Sequence, residues 1–90
     1  MARSLHSFGN EVLRTLLAEA RLKRGMTQVA LASQLACPQS VVSKVERGDR
    51  RLDFVEFMAW AAALELDVGA FVERYRMRVE PLPNSPVEPR

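Results

Sequence analysis

An all-α domain of five short helices is the fold that this sequence predicts, and three observations carry the prediction. Apolar residues recur at three- and four-residue spacing in five separate segments. Residues suited to helix starts (Thr27, Asp53, Asp67) and to helix stops (Gly25, Gly48) stand between those segments. A length of 90 residues, 48% of them apolar, allows one core, able to hide roughly 60–65% of the unfolded chain's surface.

Residues 1–8 read as a flexible lead. From Phe8 or Gly9, the residues Val12, Leu13, Leu16, Leu17 and Ala20 describe a first helix that reaches Arg24 and is stopped by Gly25. Thr27 can cap a second helix beginning at Gln28, its hydroxyl accepting one of the backbone N–H groups left without partners there. Leu31, Ala32 and Leu35 share one face of that helix, which runs to about Leu35 or Ala36. Past Ala36-Cys37-Pro38, a third helix carries Val41, Val42 and Val45, with Pro38 suited to its first turn and Gly48 to its end. Asp53 caps a fourth, whose core face reads Phe54, Phe57, Met58, Ala61 and Leu64. Asp67 caps a fifth, through Val68, Phe71, Val72 and Tyr75 to about Met77 or Val79. Residues 80–90, EPLPNSPVEPR, hold four prolines and two aliphatic side chains, the composition of a disordered tail. The domain is therefore expected over residues 9–79.

Composition narrows the function. One histidine, His6, leaves no Ser/His/Asp constellation, and no glycine-rich phosphate loop or paired-cysteine metal spacing occurs, so an enzyme, a metal site and a cofactor are not expected. Glu46, Asp49, Asp53 and Glu56 each have a nearer use than acid catalysis, as ion-pair partner, loop charge, cap or exposed face. The lone Cys37 fits a reducing compartment, and no apolar stretch has the length of a membrane span, so a cytoplasmic protein without membrane contact is expected. A net charge of +2 is mildly basic, and any case for nucleic acid rests on where the charges lie.

Residues 27–51, TQVALASQLACPQSVVSKVERGDRR, are the most informative, because two short helices there meet at a tight corner. A lone helix cannot read DNA; a corner that presents one can. Between the valines of the third helix lie Gln39, Ser40, Ser43, Lys44 and Arg47, polar side chains on the face that the core does not use.

In these residues the chain resembles the Cro/repressor-like (Xre-type, lambda-repressor-like) helix-turn-helix DNA-binding family, with the motif over about residues 28–47. Gln28, Leu31, Ala32, Leu35, Val42 and Val45 fall where that family places its first-helix glutamine, small packing alanine and core aliphatics, and Glu46-Arg47-Gly48 looks like its helix ending. The resemblance implies a partly buried ion pair between Arg21 and Glu46. Two positions depart from the pattern. Ala36 stands where the family usually has a glycine able to adopt left-handed backbone, a strain of roughly 1 kcal/mol. Pro38 replaces a capping Ser or Thr, which leaves Cys37 as a weak cap.

Roles follow for double-stranded DNA. Gln28 at the N-terminus of the second helix is expected to clasp a phosphate. Gln39, Ser40 and Lys44 are expected in the major groove, Gln suiting adenine N6/N7 and Lys guanine O6/N7. Ser43 is expected at a base or the backbone, and Arg47, Arg50 and Arg51 on flanking phosphates. Against this stands the ordinary reading of polar helix faces and basic loops as solvated surface; the two readings are level for Ser43 and Arg51, and Arg14, Lys23 and Arg24 belong to the solvated class.

The fourth helix shows a second apolar row, Val55, Ala59, Ala62 and Leu66, which one small core cannot cover; Trp60 lies between the rows and fits either core or interface, a large aromatic there being more often core. A twofold homodimer through the fourth and fifth helices would bury that row, and would set two recognition helices about 34 Å apart on a palindromic operator. The expected function is a small sequence-specific transcription regulator, a repressor or autoregulator. The alternative is an antitoxin-like or other protein-interaction module whose C-terminal helices and tail engage a partner protein.

Overall fold

The computed structural model describes residues 5–80 and contains α1 (Leu5–Lys23), α2 (Gln28–Leu35), α3 (Gln39–Arg47), α4 (Phe54–Ala63) and α5 (Val68–Val79). Residues 1–4 of the expected lead and 81–90 of the expected tail lie outside the described residues. α1 packs on α3 and α5, and α2 packs on α3 and α4. Leu16, Leu17, Leu31, Val42 and Leu64 are the largest fully buried side chains, and Val12, Ala32, Val45, Trp60 and Phe71 join them in one cluster.

α1 starts at Leu5, ahead of the Phe8 or Gly9 that the apolar pattern suggests, so residues 5–8 belong to the helix and not to a lead. Tertiary packing accounts for the extension. Gly9 is buried, and a Cβ there would come within 2.8 Å of Tyr75 Oη, so the first turns of α1 lie directly against α5. Lower on the same pair of helices, Arg78 Nη2 donates to Glu19 Oε1 at 3.2 Å.

One reversal ends each of the first four helices: a residue in left-handed backbone, followed by a residue whose N–H reaches back five positions. Gly25 (φ 72°), Ala36 (φ 56°), Gly48 (φ 90°) and Glu65 (φ 54°) are the left-handed residues. The closing bonds run from Met26 N–H to Arg21 O (3.1 Å), Cys37 to Ala32 (3.0 Å), Asp49 to Lys44 (2.8 Å) and Leu66 to Ala61 (2.9 Å). In three of the four the residue after the turn is apolar, and Met26, Cys37 and Leu66 fold back, half-buried, against the core. Ala36 thus takes the backbone that its sequence position demands of a glycine. Pro38 sits one position earlier than expected, as the N-cap of α3 rather than in its first turn, and it makes no side-chain cap bond; Cys37 is not the cap but the packing residue of the preceding reversal.

α4 differs from its reading in the sequence. Phe54 and Met58, expected in the core, are exposed, whereas Trp60, Ala61 and Leu64 are buried and Phe57 is half-buried, its ring 5.5 Å from that of Phe71. Apart from Glu56 every residue of α4 is apolar, so periodicity alone leaves the rotation of the helix open. The second apolar row also ends early. The helix stops at Ala63, and the left-handed turn at Glu65 swings Leu66 back onto the core and away from Val55, Ala59 and Ala62, which are exposed. Val72 of α5 is likewise more exposed than expected.

The two kinds of left-handed residue make opposite predictions. Ala36→Gly is expected to raise stability by up to about 1 kcal/mol by relieving strain, net of glycine's greater chain entropy. Gly48→Ala is expected to lower it by about 1 kcal/mol or more, because the new Cβ would also lie 2.9 Å from Arg14 Nε. Urea midpoints at unchanged slope measure both.

Candidate nucleic-acid interface

The interface is built on a buried ion pair. Arg21, 8% exposed, projects from the last turn of α1; its Nε donates to Glu46 Oε2 at 2.7 Å and its Nη2 to Glu46 Oε1 at 3.0 Å. The third donor, Nη1, reaches the carbonyl of Met26 at 2.7 Å, so the guanidinium fastens the reversal after α1 as well as α3. A two-pronged geometry of this kind fixes direction as well as distance. Arg14, one face over on α1, donates from Nη1 to the carbonyl of Glu46 at 3.0 Å and lies across Gly48. Arg14, expected among the solvated residues, is thus engaged, and the glycine at position 48, whose missing side chain makes room for the guanidinium, is its signal in the sequence.

From Glu46 the network runs outward. Gln28, the first residue of α2, donates from Nε2 to Glu46 Oε1 at 2.9 Å, and its Oε1 accepts from Gln39 Nε2 at 2.7 Å. Thr27 fixes the start of α2, its Oγ1 accepting from Ala30 N–H at 3.0 Å. The N-termini of α2 and α3 are therefore joined side chain to side chain, with Gln39 exposed at the outer end and Ser40 and Lys44 exposed along α3. Gln39 Nε2 keeps a second hydrogen beside its free Oε1, the donor and acceptor pair that an adenine edge requires.

The remaining basic residues divide. Arg47 donates to Ser43 Oγ and, from Nε, to Asp49 Oδ2 at 3.0 Å, which ties the expected Ser43 and Arg47 into one exposed group on α3. Arg50 turns toward α4, donating from Nη2 to Glu56 Oε2 at 2.8 Å and from Nη1 to the Arg51 carbonyl at 3.0 Å. That guanidinium holds the loop after α3 against α4. Arg51, exposed, borders a groove shared with Gly9, Asn10, Leu13 and Tyr75. Arg24, expected to be solvated, pairs with Glu65 at 3.3 Å on the surface. Among the described residues no group of His, Cys, Asp and Glu side chains is placed to hold a metal ion, and no helix is long and apolar enough to cross a membrane.

Comparison with known proteins bears on this arrangement. Residues 17–71 match the family model HTH_3, helix-turn-helix. The chain belongs to the Xre-type helix-turn-helix family. Membership makes it a DNA-binding transcription regulator and not an enzyme. An XRE-family like protein from Pseudomonas syringae pv. tomato str. DC3000 has a similar structure, with TM-score 0.75 and 40% identity over 81% of this chain and 89% of that one. The restriction-modification controller protein C.Esp1396I is similar at TM-score 0.75 and 25% identity, over 80% of this chain and 94% of that one. A tetramer of that controller, in complex with its natural 35 base-pair operator, matches at TM-score 0.74 and 25% identity, over 80% of this chain and 95% of that one. A search of curated proteins finds no match.

In this helix-turn-helix protein the link between the motif and α4 has a titratable signature. The Arg50 guanidinium, and after it the Asp53 backbone N–H, hold the Glu56 carboxyl below the ordinary carboxylate range, while Glu56 raises Arg50 further. Glu56 also closes a capping box, its side chain accepting from Asp53 N–H at 2.9 Å while Asp53 Oδ1 accepts from Glu56 N–H at 2.7 Å. A depressed carboxylate stabilises the fold above its unfolded pKa, and that contribution is lost as pH falls through the folded value. NMR titration of Glu56 Cδ is expected to place its midpoint below that of a model glutamate, and Arg50→Ala is expected to move it up.

Proposed function

We propose that this regulator binds an operator in a sequence-specific manner as a twofold dimer, with Gln39, Ser40 and Lys44 reading base edges in the major groove. The observation that carries the reading is the exposed polar edge of α3, with Gln39 already held by Gln28 at the N-terminus of α2. Gln28 Nε2 retains one hydrogen for a phosphate oxygen, next to the first N–H groups of α2, a favourable place for an anion. Arg47, with Ser43 beside it, and Arg51 supply phosphate contacts at the flanks, and Arg50 acts by holding the loop that carries Arg51. Arg21 and Glu46 are structural.

The apolar surface supports the dimer. Phe54 (73% exposed), Val55 (76%) and Met58 (41%) leave one small helix with more uncovered apolar surface than scattered single residues would, and Ala59 and Ala62 extend it. Phe54 and Met58 thus take the place that Leu66 loses. A second copy on this face would set the two α3 helices about one helical turn, roughly 34 Å, apart and make the operator palindromic. The similar controller is a tetramer in complex with its operator, which supports self-association on DNA here. The dimer equilibrium, set by the protein's own concentration, makes operator occupancy depend on that concentration, the basis for autoregulation.

Selection from a random duplex pool tests the reading. Wild type is expected to enrich a palindrome, and Gln39→Ala with Lys44→Ala to lose that enrichment while keeping salt-dependent binding, each base contact contributing about 1–3 kcal/mol. Sedimentation is expected to show a dimer that Val55→Asp converts to monomer. A wild-type monomer at micromolar concentration would instead give the α4 face to a different protein, as in an antitoxin-like module.

A further inference from the structure

We propose that Glu46 is a positioning residue for base recognition, setting the orientation of the Gln39 amide through Gln28. The inference rests on the reading of Gln39 as a base contact, and adds what decides the direction in which it is presented. A glutamine amide rotates about a terminal torsion with two broad, nearly equivalent orientations, so an exposed glutamine by itself offers donor and acceptor in either order. Here the order is imposed from the interior. The Glu46 carboxylate, gripped by Arg21 through both oxygens, has only acceptors to offer. Gln28 must therefore turn its NH2 group to Glu46, and the 2.9 Å bond from Nε2 to Oε1 shows that it does. Its carbonyl then faces α3, where only a donor satisfies it, and Gln39 supplies Nε2 at 2.7 Å. Two bonds thus carry the polarity of a buried carboxylate to an exposed side chain. Gln39 is left with its remaining N–H on the side of Gln28 and its Oε1 on the far side, an order that matches adenine N7 and N6 in one orientation of the base pair and opposes the other. Arg21 takes part by holding Glu46; Gln28 is the relay.

A residue that merely holds α3 in place would, when altered, weaken all duplexes alike. The relay makes a local prediction instead. Gln39→Ala identifies the base pair that Gln39 reads, using the duplex selected by wild type and a panel varied one base pair at a time. Gln28→Met, which leaves the Arg21–Glu46 pair intact, and Glu46→Gln are each expected to lower discrimination at that base pair by about tenfold, with preferences elsewhere unchanged apart from a uniform loss of affinity. The double variant is expected to discriminate no worse there than Gln28→Met alone, since both substitutions cut one chain. Discrimination at that base pair left intact in Gln28→Met would overturn the proposal, and Gln28→Met suffices if Glu46→Gln fails to fold. Side-chain amide NMR of the free protein gives a readout independent of DNA. Wild-type Gln39 is expected to show a restrained NH2 group with a cross-peak to Gln28, lost in Gln28→Met and in Glu46→Gln; an unrestrained Gln39 amide in wild type overturns the relay. If wild type selects no sequence while the restrained amide is seen, the base-reading role of Gln39 fails and the internal ordering stands.

Discussion

Almost every feature of the interface depends on the pairing of Arg21 with Glu46 between α1 and α3. Both side chains are 10% exposed, and the guanidinium makes a third bond to the Met26 carbonyl, so one group fixes two helices and the turn between α1 and α2. Burial of such a pair is weak evidence for added stability, because desolvation offsets much of the attraction. Removing one partner is another matter, costing about 3–5 kcal/mol and leaving a charge without compensation, in a domain whose whole stability is of the order of 5–15 kcal/mol. The pair therefore acts as a constraint on geometry. Without it Gln28 would lose its fixed carboxylate partner on α3, and the exposed Gln28–Gln39 bond would have mainly apolar packing, which is non-directional, behind it.

Short helices make the second constraint. α2 and α3 have 8 and 9 residues, too few to be stable alone, and they persist because each is bounded by a tight reversal and laid on the core. The reversals also decide where side chains go. Cys37 and Leu66 follow a left-handed residue and fold inward, although the sequence reads Cys37 as a cap and Leu66 as part of an outward row. Ala36 accepts strained backbone at the corner of the motif, where the turn must be made within three residues for α3 to cross α2 at all.

Charge is sorted by the same geometry. Arg14, Arg21 and Arg50 face inward or along the chain to carbonyls and carboxylates, whereas Lys44 stands exposed on α3. A net charge of +2 therefore understates the specialisation of the surface, since basic residues that hold the scaffold are counted with those that face solvent on the recognition helix.

The sequence by itself determined the helix count, the caps Thr27, Asp53 and Asp67, the stops at Gly25 and Gly48, and the polar composition of α3, because each is a local matter of backbone hydrogen bonding or of spacing within one turn. Residues 28, 39, 40 and 44 were legible as a group for that reason, and the family resemblance pointed to Arg21 with Glu46. Tertiary structure decided the rest. The rotation of α4 followed from which of two apolar stripes the core could admit, a choice that put Trp60 inside and Phe54 and Met58 outside. The start of α1 at Leu5 came from contact with α5 around Gly9. The engagement of Arg14 and Arg50, and the chain of bonds from Glu46 to Gln39, join residues 6 to 32 positions apart, and no spacing rule within one helix reaches across them. Local propensity acts over a few residues; the partner of a long polar side chain is known once the helices that carry both have been brought together.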